Sequence, residues 1–524
     1  MDETSQYISQ LFPREVKICD ETLRDGNQTP RVSFNLENKI RIAKKLDEFG
    51  FDYIVGGMPS SGSVDQRFFK EIRDYSLNAR IVALGLTRKS DIEELVETEA
   101  DVLAVVGKSS AEQVTKVLDM EPEQNLKLIE ESIDFLKKHG YRVFFDAEHF
   151  YDGFRDDRRY AFDILKAAEN ADEIILCDTR GGSIPWEIFD ITKKVRENIK
   201  KPIGIHCHND MGVASVNTIF AIAAGAEHVQ GTINGLGERC GNADFCEILP
   251  TLEYKLGVKT VGKEKLKGLK ELSEYVGRIS GIKVPSNSPY IGDFAFIHTA
   301  GSHGAAVSKY PPSYEIIDPE LVGNQRSFSL SRQMGRATVV AEARKFGYEL
   351  DKSDPVVSEI VSGIKEKGML TDVQLLLKLK QDVDKQPMPF ELVDYWCITG
   401  KNTPALATIK VRIDGTEYIE ASEGVGVVHA LDIALRKILT RHYEKLRDVK
   451  LASYNVNIMD EEKGTAATNR VYIGFNEDRK KWETVGISDN IIKASSDSLI
   501  DGYLYSLLRK NSQNNQYKKV GGNE

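Results

Sequence analysis

The sequence predicts an α/β fold: a TIM (β/α)8 barrel, then a helical connector, then a C-terminal α+β domain with an internal repeat. Three observations carry that prediction. Short runs rich in β-branched residues alternate with amphipathic helical stretches from residue 15 to about residue 235. There are eight such runs, the number an eight-fold barrel needs over roughly 250 residues. Carboxylates, imidazoles and glycines recur where the runs end, the rim on which barrels place their chemistry. A doubly wound open sheet is the competing arrangement, but the Gly-rich fingerprint that opens its first unit is absent.

The eight runs are EVKICD (15–20), FDYIVGG (51–57), ARIVALG (79–85), DVLAVVG (101–107), YRVFFDAE (141–148), DEIILCD (172–178), PIGIHCH (202–208) and EHVQGTING (227–235). Between them, NLENKIRIAKKLDEFG and PEQNLKLIEESIDFLKKHG place apolar residues at i, i+3, i+4 and i+7, the stripe of a helix lying on a core. The catalytic barrel is therefore assigned to 1–270. A connector follows over 271–395, helical and interrupted by the Pro/Ser-rich KVPSNSPYIGDF. Over 396–510, YIEASEGVGVVHALDIALRKIL and WETVGISDNIIKASSDSLIDGYLYSLL each read strand, Gly turn, helix, with Val427 in register with Ile491. That repeat predicts a small symmetric domain. Residues 511–524 form a polar tail expected to fray.

Composition narrows the function. A net charge of −10 argues against nucleic-acid binding, which asks for a basic face. No apolar run approaches the roughly 20 residues of a membrane span, and the first residues lack the pattern of a secretory signal. Six scattered cysteines without a CxxC pair fit reduced thiols, so a cytoplasmic location is expected. VVGKSS is no P-loop, because the leading glycine that motif requires is Val102 here.

The stretch GIHCHND (204–210) places His206 and His208 on one face of a strand, since side chains alternate. A pair of hydrogen-bonded surface histidines would look the same. The clustering of polar residues at the other strand ends favours a divalent metal site, with Asp25 of TLRDG as the carboxylate. Two imidazoles and a carboxylate leave open positions on Mg²⁺, Mn²⁺ or Zn²⁺ for a chelating substrate such as a 2-oxo acid. Arg24, beside Asp25, is placed to meet negative charge developing on the ketone oxygen.

DETLRDGNQ, FDAEHFYDG, CDTRGGSIP, GIHCHNDMG and GTINGLGERCGNAD together resemble the isopropylmalate, homocitrate and citramalate synthases, metal-dependent barrel enzymes that condense an acyl-CoA with a 2-oxo acid. The resemblance continues through IDPELVGN into TVGISDNIIKAS, and so covers nearly the whole chain; among the branches it is nearest the citramalate type. It implies a Claisen-type condensation of acetyl-CoA with a 2-oxo acid, pyruvate above all, with release of CoA. It implies that Asp25, His206 and His208 bind the metal with Asn242 at or near it, and that Arg24 stabilises the oxyanion. It further implies that Glu148 positions acetyl-CoA or acts as base, that Thr179 holds the oxo acid's carboxylate, and that His303 and Tyr314 complete the site from the connector. Either Glu148 or His303 fits the base. Packing for Tyr314, helix capping for Thr179 and a turn for Asn242 are the structural alternatives. A homodimer and an end-product amino acid, isoleucine or leucine, bound by the C-terminal domain are also implied. Other 2-oxo acids, a 3-hydroxyacyl-CoA lyase, and a non-catalytic effector-binding protein are the competing functions.

Four positions depart from the pattern: Val55 where Glu is usual, the residues after GKS in strand four, Arg180 where Asn is usual, and HTAGSHGAAV without the Lys that often follows the first His. All four are expected at or near the substrate rim.

Overall fold

In the computed structural model, residues 11–509 are described, apart from 300, 329, 332, 333, 368 and 479. The polar tail expected over 511–524 lies outside them. Eight parallel strands close into a barrel in sequence order: β1 (Lys17–Asp20), β2 (Tyr53–Gly57), β3 (Arg80–Leu86), β4 (Val102–Lys108), β5 (Val143–Glu148), β6 (Glu173–Asp178), β7 (Ile203–Cys207) and β8 (His228–Gly231). Closure comes from β1 pairing with β8, Lys17 to Asp20 lying beside His228 to Gly231.

The helices between the strands start and stop where local chemistry dictates. Helix Leu36–Phe49 begins where Asn35 Oδ1 accepts the Asn38 N–H at 2.8 Å, satisfying an otherwise unpaired donor. It stops at Gly50, whose φ of +101° suits glycine. Helix Pro122–Lys138 opens on proline, where a missing N–H does no harm. Its buried face carries Ile129, Ile133 and Leu136, packed in the shell between helices and strands.

Two strand ends differ from expectation. β7 stops at Cys207, and His208 instead forms an isolated bridge with Asn242. The run read over 227–235 is a strand only to Gly231; Ile233–Gly235 is a 3-10 turn in which Asn234 adopts φ +63°. In both places the chain leaves the barrel ladder to build the rim.

The chain divides into two compact units: residues up to Phe296 with Ile316–Arg326, and Ile297–Glu315 with the residues from Ser327 onward. In the second unit, helices Arg336–Lys345, Pro355–Lys367 and Asp372–Asp382 surround their own apolar cluster. The last of these starts with a capping box, Thr371 Oγ1 accepting the Gln374 N–H while Gln374 Oε1 accepts the Thr371 N–H.

The C-terminal repeat is borne out as two three-stranded antiparallel sheets, each followed by a helix. Strand Thr416–Gly424 leads into helix Val427–His442, as strand Lys480–Ser488 leads into helix Ile491–Leu508. Ala407, Ile409 and Val411 of one middle strand and Val471, Ile473 and Phe475 of the other turn every second side chain into a shared core. Among the described residues no helix is long and apolar enough to cross a membrane, and all six cysteines are free.

The barrel's lower end is plugged by residues that open strands or just precede them. Glu173 is buried and accepts from His228 Nδ1 at 2.7 Å and from Arg142 Nη2 at 2.6 Å. Tyr53 stacks on the His228 ring at 5.5 Å, and Phe144 meets it edge-on. Burial would raise the Glu173 carboxyl, but His228 and Arg142 hold it below its ordinary value. Removing this acceptor strands the buried His228 and takes the carboxylate partner from the half-buried Arg142. Glu173→Leu should therefore destabilise the barrel by about 3 kcal/mol, read as a lower urea midpoint with an unchanged slope.

Candidate metal and acyl-transfer site

Five of the residues singled out from sequence meet at the rim. Asp25 lies just past β1, between Arg24 and the short turn Gly26–Gln28. Its Oδ2 stands 3.3 Å from His206 Nε2 and 3.5 Å from His208 Nε2. The two Nε2 atoms are 3.4 Å apart, and all three residues are buried. Asn242, brought in by the bridge to His208, places Nδ2 at 3.1 Å from both Asp25 Oδ2 and His206 Nε2.

The ring of His206 is fixed from behind. Its Nδ1–H donates to Gln230 Oε1 at 2.9 Å, so the neutral ring presents the Nε2 lone pair toward Asp25 and His208. Gln230 Nε2 in turn reaches Asp146 Oδ1 at 3.5 Å. Two imidazole nitrogens and a carboxylate oxygen thus face one another in a buried pocket, an excess of lone pairs that a cation relieves. The buried Asn242 Oδ1 accepts no hydrogen bond among the described residues, and a turn of the amide would present that oxygen to the same point. Asp25, His206 and His208 are the one group of three among the described residues with metal-holding geometry, and the donor set fits a divalent ion.

Electrostatics follow from this crowding. Burial alone would raise the Asp25 carboxyl, but the Arg24 guanidinium and His206 hold it well below the usual carboxylate range. Burial, then the neighbouring His206 charge, lowers His208 to about 3, so its ring stays neutral. His206 is opposed by burial yet raised overall by its hydrogen bond to Asp25 and that carboxylate's charge. Arg24 is gripped by two carboxylates, its Nε donating to Glu21 Oε2 at 2.7 Å and its Nη1 lying 3.3 Å from Asp25 Oδ2. Beneath the pocket, burial and Glu21 raise Asp146 to about 6.

Glu148 and Thr179 lie at the ends of adjacent strands. Glu148 closes β5, its Oε2 2.6 Å from Lys108 Nζ at the end of β4. Thr179 Oγ1 accepts the His149 N–H at 2.8 Å rather than capping a helix, which leaves its own hydroxyl proton free to donate. His303 and Tyr314 are exposed residues of the second unit, where their rings stack at 4.3 Å. Of the departures, Arg180 is exposed and stands 3.7 Å from Asp152. Val55, expected at or near the rim, is buried inside the barrel among Tyr53, Val82 and Phe144, where an apolar side chain fits and a carboxylate would need a partner.

Gln230 and Glu21 were not anticipated. A signal for Gln230 does exist: in β8, His228 and Gln230 share the face opposite Val229, and polar residues on an inward face need a function or a partner.

The HMGL-like family matches residues 15–276, the homocitrate synthase post-HMGL domain-like family matches 290–372, and the LeuA allosteric (dimerisation) domain matches 369–507. An (R)-citramalate synthase of Sulfolobus acidocaldarius is 45% identical, covering 95% of this chain and 98% of that protein. One of Aquifex aeolicus is 41% identical, with 94% and 98% covered. A probable 2-isopropylmalate synthase of Archaeoglobus fulgidus is 32% identical, again with 94% and 98% covered. Matched along nearly its whole length, the chain belongs to the HMGL-like barrel enzymes, in the group of citramalate and isopropylmalate synthases that carry a LeuA domain.

Proposed function

We propose that this protein condenses acetyl-CoA with pyruvate, forming citramalate and releasing CoA, as a step of branched-chain amino-acid (isoleucine) biosynthesis. The observation that carries the reading is the buried convergence of Asp25, His206 and His208 at the rim of a barrel whose relatives along nearly the full chain are (R)-citramalate synthases.

Asp25, His206 and His208 hold a divalent cation, with the Asn242 amide oxygen as a further donor. A cation there supplies Lewis-acid polarisation of the oxo acid's ketone. Arg24, held rigid by Glu21 and Asp25, donates to the ketone oxygen as negative charge gathers on it. The Thr179 hydroxyl, its lone pair occupied by the His149 N–H, donates to the oxo acid's carboxylate. Glu148 or His303 removes a proton from the acetyl methyl group. The methyl carbon then bonds to the ketone carbon, and the ketone oxygen gains a proton to become the tertiary hydroxyl. Water cleaves the thioester, leaving a carboxylate and the CoA thiol. His303 belongs to the second unit, where its ring is tilted against that of Tyr314.

The C-terminal repeat assembles the homodimer and binds an end-product amino acid, isoleucine or leucine. Two edge strands support its role as an assembly surface. Every residue of Lys450–Ile458 is exposed, Tyr454, Val456 and Ile458 included, and Trp396 and Ile398 of Glu391–Gly400 are exposed as well. Unpaired strand edges with apolar side chains call for a partner.

Free-thiol release from acetyl-CoA, followed across a panel of 2-oxo acids, tests the reaction. Release with pyruvate, abolished by EDTA and restored by Mn²⁺ or Mg²⁺, is expected. Selectivity for a larger or diacidic oxo acid would move the protein to the isopropylmalate or homocitrate type, and silence with every acid would defeat the reading. His206→Ala should lose both metal binding and turnover, with kcat/KM down by at least about 10³.

The pH dependence of metal affinity is a separate check. A histidine must be deprotonated to bind metal. His206 is raised by Asp25 while His208 is neutral throughout, so protons compete with metal mainly at His206. Mn²⁺ affinity should be flat at alkaline pH and fall by about tenfold per unit once pH drops below the raised His206 value. Asp25→Asn removes the group that raises His206, so the fall should shift to lower pH while overall affinity weakens, both visible in Mn²⁺ titrations by electron paramagnetic resonance.

A further inference from the structure

Arg239 is a non-glycine residue in the left-handed region, with φ +56°. Such a conformation persists where surrounding contacts impose it. Those contacts are specific: Nε donates to Asp210 Oδ1 and Nη2 to Asp210 Oδ2, both at 2.8 Å, while Nη2 also donates to the Thr179 carbonyl at 2.8 Å. One guanidinium on the loop after β8 therefore grips the loops after β6 and β7.

The three loops are pressed together around that grip. The Asn209 N–H donates to the Gly241 carbonyl at 2.9 Å, and the Glu238 N–H reaches Asp25 Oδ1 at 3.3 Å. Gly181, at φ +58°, lies so close to the β7 loop that a Cβ would meet Asp210 N and His208 O at 2.7 Å. The residues joined in this way neighbour, or are, Thr179, His208 and Asn242, which belong to the oxo-acid and metal sides of the proposed site. Arg239 is none of the metal donors and needs no substrate contact to act.

We propose that Arg239 is a positioning residue: with Asp210 it sets the spacing between the carboxylate-binding Thr179 and the metal-holding His208 and Asn242. The inference rests on the reaction proposed above. Its chemistry depends on the planar fork of arginine, which bonds both carboxylate oxygens at once; a lysine carries the charge without the fork.

Arg239→Lys, Asp210→Asn and the double variant test this in the full chain. Three quantities are read: Mn²⁺ affinity without substrate, KM and kcat for pyruvate, and Tm. Each single variant should weaken Mn²⁺ by about tenfold or more and raise KM for pyruvate several-fold, with kcat less affected and Tm unchanged. The double variant should be no worse than either single one, because each breaks the same clamp. Unchanged Mn²⁺ affinity and KM, or losses that track a fall in Tm, would overturn the proposal. If the wild type binds Mn²⁺ but turns over no 2-oxo acid, the reaction fails as a reading, while the Mn²⁺ comparison still decides whether Arg239 positions the site.

Discussion

The pairing of β1 with β8 is the constraint on which the rest of the site depends. Asp25 follows the first strand, His206 lies in the seventh and His208 just past it, far apart in sequence, and closure of the ladder makes them neighbours. Parallel strands all end on one rim, so every loop that follows a strand is delivered to the same place. The geometry does not stop at the barrel ladder. β7 and β8 release the chain early, and the bridges from His208 to Asn242 and from Thr232 to Asp244 carry the pairing upward by one layer. It is where the last barrel residues join this extra layer that Asp25, His206, His208 and the Asn242 amide meet.

Much of this was legible. Alternating runs and helical stripes report burial on two periodicities, and a closed parallel barrel is the architecture that satisfies eight of each. The HxH pair was readable because one residue of separation on a strand means one shared face. What was not legible has a common physical cause: it depends on contacts between loops of different strands. Arg239 stood in plain view within GERCGN, yet nothing local says that its partners are Asp210 and the Thr179 carbonyl. Val55 needs the register as well as the pattern: one residue on from the Asp20–Ile54 pair it is level with Glu21, on the interior face with Tyr53 and Val82. Periodicity sets the face of a side chain, and only the register of the closed sheet sets its height.

Charge at the rim is arranged in alternation. Glu21, Arg24, Asp25 and the two imidazoles form a chain in which each group sits beside one of opposite demand. Desolvation works against every ionised member of that chain, and the neighbouring charges reverse its effect on Asp25 and Arg24. At His208 the Asp25 charge works the same way, but burial and the neighbouring His206 outweigh it and the ring stays neutral. At the base Glu173 accepts from both His228 and Arg142, yet His228 Nε2 and Arg142 Nε find no partner among the described residues. At the top the lone pairs of His206, His208 and Asp25 converge, and the Asn242 oxygen is left without a donor.

The Glu148 carboxylate is paired with Lys108 from the neighbouring strand at 2.6 Å, both side chains about three-quarters or more buried. To take a methyl proton, Glu148 would have to give up Lys108 as acetyl-CoA arrives. His303 is exposed within its own unit, its ring tilted against that of Tyr314 with centroids 4.3 Å apart. In the reaction proposed above, the pairing with Lys108 suits Glu148 to the placement of acetyl-CoA, with Lys108 fixing its direction, more than to proton removal.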